Sequence, residues 1–125
     1  MEKITTEKLI NCSLSDARLE SVQKTEDLRF VFSGAAVNSI VFKNGQITEI
    51  RIRGYEVLDE EEEVVFDMPD VEILGDKIND ALASLAEYDP HAVEFVMAGE
   101  NAVLVVNDNT DTYEIEVSFD EILAD

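Results

Sequence analysis

The chain has no tryptophan, one cysteine, one histidine and two prolines, and only nine lysines and arginines among its 125 residues. Each shortage excludes something. A single Cys12 cannot close an intramolecular disulfide, and there is no cysteine pair for a structural zinc site. One histidine and one thiol are too few for a transition-metal centre. Nine scattered cations give no basic stripe that could neutralise phosphates, so direct nucleic-acid binding is disfavoured, and anionic membrane surfaces with it. No apolar run approaches the roughly 20 residues that span a bilayer. The N-terminal MEKITTEKL carries charges where a signal peptide needs an apolar stretch. Together these features predict a soluble protein of a reducing compartment, the cytoplasm.

What is present is acid, unevenly placed. Residues 1–54 hold eight Lys or Arg against seven Asp or Glu; residues 55–125 hold one, Lys77, against twenty-two. The formal net charge of −20 therefore arises almost entirely in the second part. A surface with that field attracts cationic partners and repels polyanions. The hydrophobic fraction of 46% separates the chain from acidic disordered sequences, which are poor in Val, Ile and Phe. The length fits one domain, residues 1–125, with enough surface to bury for a core without staples.

Strand signals dominate. Leu28–Phe32 and Val37–Phe42 are apolar and β-branched. Asn44-Gly45 lies between apolar stretches, the strongest short hairpin signal, and predicts that Gln46–Arg53 returns along the preceding strand. Asp59–Glu63 reads as a loop and Val64–Phe66 as a strand. Pairing of that strand with 46–53 would bring Arg51 and Arg53 near Glu63 and Asp67. Val71, Leu74, Ile78, Ala81, Leu82 and Leu85 recur at spacings of three and four, one apolar stripe of a helix over about 71–87. Asp70 is placed to cap it and Asp89-Pro90 to end it. Gly75 weakens its first turns and allows a start as late as Asp76. Two or three strands follow, turning at Gly99–Asn101 and at Asn107–Asp111. The segment before Gln23 reads either way: Leu9, Ile10, Leu14 and Ala17 suit a helix, Arg18–Gln23 a strand. The predicted class is α+β: mainly antiparallel β-meanders packed against one main helix. Its predicted core is the helix stripe with Phe30, Phe32, Ile50, Ile52, Phe66, Phe95, Ile115 and Val117.

Residues 29–52 align without a gap on 94–117, with seven of 24 positions identical, Phe30/Phe95, Gly34/Gly99 and Ile50/Ile115 among them. Both segments read strand, glycine turn, strand, polar turn, strand. Two unrelated meanders share such alternation, so the match is compatible with duplication and does not require it. At matched positions Arg29 becomes Glu94, Lys43 becomes Asp108 and Arg51 becomes Glu116. The second meander thus offers a candidate partner-binding face: Glu94, Glu114 and Glu116, with the turn acids Glu100, Asp108 and Asp111. Outward carboxylates on a half-exposed sheet are otherwise ordinary solvation.

Catalytic chemistry finds no purchase. Cys12 and His91 form the only conceivable Cys–His pair. Neither has a local signature: Cys12 reads as a small buried hydrophobe, His91 as an exposed loop residue. Asn107-x-Asn109-x-Asp111 spaces oxygen ligands like the start of a calcium loop. It has Thr112 where glycine is needed, Ser118 where a bidentate Glu is needed, and strands in place of the flanking helices. Paired carboxylates occur at every spacing because acids are so many, and no phosphate-binding or nucleophile-elbow motif is present. The expectation is a non-catalytic module with no metal and no cofactor that binds a basic protein surface, for example an inhibitor such as a toxin-immunity protein or a nucleic-acid mimic. Two alternatives stand beside it: a small-molecule binder or enzyme with a pocket between helix and sheet, and a homodimer subunit pairing through a strand edge or an apolar face.

Overall fold

The structure is a computed structural model that describes residues 2–3, 17–34, 38–86, 90–108 and 111–124. It corrects the predicted class: the described residues are mainly β, with antiparallel sheets and one short helix among them, and not α+β with a main helix. Ten strands form one sheet of two halves. The first half runs β1 (Glu2–Lys3), β12 (Glu121–Ala124), β4 (Ser39–Lys43), β3 (Leu28–Ser33), β2 (Arg18–Lys24). The second runs β9 (His91–Ala98), β10 (Asn101–Asn107), β11 (Thr112–Ser118), β5 (Gln46–Ile52), β8 (Val71–Ile73). Among the described residues, strand pairing joins the halves at one corner, where Arg18 of β2 registers with His91 of β9 and the Leu19 N–H donates to the Pro90 carbonyl.

The halves close over a shared core. Phe30, Phe42 and Ile40 come from the first, and Phe95, Leu104, Ile115 and Val117 from the second. Phe42 stacks on Phe95 at 6.4 Å between ring centroids and meets Phe30 edge-on at 5.6 Å. Burying each such ring is worth about 1.5–3 kcal/mol in transfer free energy. The helix α1 (Lys77–Ala86) packs against β2, β5 and β8, bridging the halves with Ile78, Ala81, Leu82 and Leu85.

That helix is shorter than its stripe predicts. Val71–Ile73 instead pairs with β5, Val71 opposite Ile52 and Ile73 opposite Ile50, and Leu74 is exposed. Gly75 sits at φ 61°, a left-handed residue that ends the strand and lets the helix begin two residues on. Asp70 does not cap the helix; its Oδ1 accepts the Gly54 N–H.

The Asn44-Gly45 hairpin is a second correction. The turn forms, with Asn44 at φ 53°, but β4 and β5 do not pair. Both edges of β4 are taken, by β3 and β12, so the chain crosses to the other half and β5 pairs with β11. Gly45 permits the crossing: a Cβ there would lie 2.6 Å from Phe42 Cβ and 3.1 Å from Leu28 Cβ. The corner is latched by charge. Asp27 accepts from Lys43 Nζ at 3.0 Å and from the Asn44 N–H at 2.9 Å. Asn44 Nδ2 donates to Asp120 at 2.7 Å, where β11 crosses back to β12. The Asn44 N–H, then Lys43, hold the Asp27 carboxyl below the usual carboxylate range, and Asp27 in turn raises Lys43.

The aligned segments give matching strands but different pairing, since β9, β10 and β11 form a continuous meander. In the middle strand the facing also changes. Ile40 points into the core, whereas Val105, its aligned counterpart, lies on the outer face. Of the ambiguous N-terminal segment, 18–24 is strand, while Leu9, Ile10, Cys12 and Leu14 lie outside the described residues. His91 is not in an exposed loop; it opens β9, half-buried, opposite Asn107.

Among the described residues, the chain leaves this body once. After Gly54 it forms a separate two-stranded sheet, β6 (Tyr55–Leu58) and β7 (Val64–Met68), which pair only with each other. Phe66, predicted in the core, lies here and is 47% exposed. The predicted pairing of its strand with 46–53 does not occur, because β11 and β8 already occupy both edges of β5.

Candidate interaction surface

The outer face of the second half is built from two rows across the strands. Register places Glu94, Val105, Glu114, Arg51 and Glu72 in one row, and Val96, Val103, Glu116 and Glu49 in the next. Alternation puts these side chains opposite the core. The predicted face therefore exists, and Glu94, Glu114 and Glu116 do share it.

Part of its negative charge is paired within the sheet. Glu114 accepts from Arg53 Nε at 2.6 Å and from Arg51 Nη1 at 3.5 Å. Arg51 also bonds Glu49 at 2.9 Å and approaches Glu72 at 3.9 Å. Glu49 first, then Glu114 and Glu72, raise the Arg51 guanidinium above its usual range, so it stays charged. Glu116 accepts the Thr48 hydroxyl at 3.0 Å; Thr48 is the extra residue of a bulge between β5 and β11. The cations meant for Glu63 and Asp67 thus serve Glu114. A shallow groove of about 200 Å³ follows these rows, with Val103 and Val105 as its buried floor.

The turn acids do not join the face as one patch. Glu100 lies in the β9–β10 turn, while Asp108 and Asp111 lie at the far end of β10, roughly 23 Å away for seven extended residues. Asp108 organises its own turn: it accepts the Asp111 N–H at 2.7 Å and the Tyr113 hydroxyl at 3.2 Å. That is a loop-closing role, as expected of an aspartate in a tight turn. Among the described residues, no group of three His, Cys, Asp or Glu could hold a metal ion, and Asn109 of the calcium-like spacing lies outside them.

The surface that sequence reasoning missed is the β6–β7 hairpin. Its fourteen residues, YEVLDEEEEVVFDM, are seven acids and seven apolar residues, with no cation. Tyr55 pairs with Met68 and Val57 with Phe66, so these four share one face; Glu56 sits opposite Asp67 on the reverse. Tyr55, Val57, Phe66 and Met68 are each 40–50% exposed, whereas Val105 on the sheet is 1%. The Tyr55 and Phe66 rings lie 5.8 Å apart. At the tip, Asp59 Oδ1 accepts the Glu61 and Glu63 N–H groups at 2.8 and 3.0 Å, and Glu62 adopts φ 64°. At the base Gly54 lies against Met68 and Pro69, where a Cβ would come within 2.0 Å of the Met68 carbonyl oxygen. The sequence signal was an alternating strand with no second layer assigned to cover it.

Grooves also flank α1. One of about 340 Å³ lies against β2, between Leu19, Val22, Leu82 and Leu85; another of about 290 Å³ lies between Leu28, Ile47 and Ile78. Both are open, and the one acid lining either of them, Glu20, is solvent-exposed and paired with Arg18. Among the described residues, no helix is long and apolar enough to cross a membrane. No family model, curated protein or solved structure matches this chain.

Proposed function

We propose that this protein is a non-catalytic acidic interaction module that binds a basic protein surface in the cytoplasm. One concrete form is an inhibitor of the immunity-protein or nucleic-acid-mimic type, whose carboxylates stand in for phosphates. The observation that carries the reading is the contrast in pairing. On the sheet, Glu49 and Glu114 are paired with Arg51 and Arg53, and Glu116 accepts the Thr48 hydroxyl. Those of the hairpin, Glu56, Asp59–Glu63 and Asp67, have no ion-pair partner among the described residues and no cation within their fourteen-residue segment. Unneutralised charge of one sign accelerates encounter with a cationic partner and disfavours anionic ones.

The test is capture from the source cell at about 0.05 M and about 0.5 M salt, where the screening length falls from roughly 14 to 4 Å. Captured chains are identified, and association rates are then measured across the same range. The reading predicts a partner with net positive charge whose association slows steeply as salt rises. Association insensitive to ionic strength, or a net acidic partner, would sink it.

A further inference from the structure

The hairpin is an arm tied at base and tip, with an uncovered apolar face. An isolated two-stranded ribbon is marginal in water, because it buries little. This one is held at both ends by aspartates bonded to backbone: Asp59 closes the tip, and Asp70 ties the base at Gly54. Between the clamps, Tyr55, Val57, Phe66 and Met68 remain open. An element ordered in advance loses less freedom on binding, which favours affinity.

We infer that this apolar face is the docking face for the basic partner, seating in an apolar cleft rimmed by Lys and Arg. This rests on the interaction-module reading above and assigns it to one element. The occupant follows from charge. Glu56 and Asp67 stand directly opposite each other across the ribbon, a like-charge pairing that destabilises the free hairpin. A cationic rim relieves that repulsion and meets the tip carboxylates Glu60–Glu63 while the apolar face is buried. A second copy of this chain fits poorly. It would bring a second hairpin with seven acids and no cation against the first, a like-charge approach that opposes pairing. An anionic membrane is repelled for the same reason.

The experiment places a photo-crosslinking benzoyl-phenylalanine at Phe66 or, separately, at Val96 on the sheet, in the full chain expressed in the source cell. Both sites are exposed, so either probe is tolerated by the fold. The crosslinked peptides are sequenced. The inference predicts that the Phe66 probe captures a segment of another protein carrying net positive charge and apolar residues, and that the Val96 probe captures far less. Crosslinking from Val96 alone to a basic protein would overturn the docking face while leaving the basic-partner reading intact. Capture from Phe66 of only a second copy, a lipid or a net acidic segment would overturn the inference, as would no capture at all. A second readout separates binding from folding. Val57→Thr with Phe66→Thr places β-branched threonine, which favours strands, at both positions. The pair is expected to weaken affinity for the captured partner by at least tenfold, with the unfolding midpoint unchanged; unchanged affinity would contradict the inference.

Discussion

Two β surfaces of this molecule mix acids with apolar residues, and they behave oppositely. On the outer face of the second half, Val103 and Val105 are buried beneath neighbouring side chains, and Glu114 is gripped by two arginines. On the β6–β7 hairpin, Val57 and Phe66 stand open, and the carboxylates beside them have no cation in their segment. Composition is similar, but the neighbours differ. On the sheet face, Glu114 of β11 is met by Arg51 of β5 and by Arg53 just beyond it, whereas no other described strand pairs with the hairpin. Acid content alone therefore does not distinguish the two surfaces; whether the acid and apolar side chains have intramolecular partners does.

The comparison can be broken first through the aromatic residues. Phe42→Ala removes a ring shared by both halves and is expected to cost about 3–5 kcal/mol by denaturant unfolding. Phe66→Ala should change global stability by only about 0.5 kcal/mol. Equal losses would mean that the hairpin is part of the core. Gly45→Ala forces a methyl group against Phe42 and is expected to cost about 1–3 kcal/mol in the same assay. Gly54→Ala should mainly loosen the hairpin, read as faster amide exchange across 55–68.

Acid titration sharpens the contrast between structural and unpartnered carboxylates. Asp27 is lowered in the folded state, so its stabilisation is complete above the unfolded value, about 3.9, and is lost as pH falls through the lower folded value. Lys43 is raised, so its share is complete below about 10.4 and is lost only as pH rises beyond it. Asp27→Asn should therefore destabilise at neutral pH, with the gap to the parent chain closing as pH falls through the lowered folded value of Asp27. A constant gap across that range would contradict the latch. The smallest effects come last. Glu114→Gln should give a slight, salt-sensitive loss. Converting Glu60–Glu63 to Gln should leave stability within about 0.5 kcal/mol, or raise it as self-repulsion falls.

Much of the body was legible in the sequence. Alternation placed Phe30, Phe32, Phe95, Ile115 and Val117 inward, and the Gly99 and Asn44 turns lie where their residues require left-handed backbone. What failed was pairing between distant segments. The local signal at Asn44-Gly45 gave a turn, but whether β5 folds back on β4 depends on β12, nearly 80 residues away, holding that edge. The same gap misassigned Arg51 and Arg53, whose acid is Glu114 on β11. It also hid the candidate surface: the alternation around Phe66 is that of a half-buried strand, and no local pattern shows that the covering layer is missing. Periodicity reports which residues share a face and is silent on what lies opposite.

The most direct test removes the same charge from each surface. Glu60, Glu61, Glu62 and Glu63 are changed to Gln in one variant, and Glu72, Glu94, Glu114 and Glu116 in another, so both differ from the parent by four charges. Association rates with the crosslinked partner are then measured at low salt. The account predicts that the hairpin variant slows at least tenfold more than the sheet variant. Equal slowing, or a larger effect from the sheet variant, would contradict it.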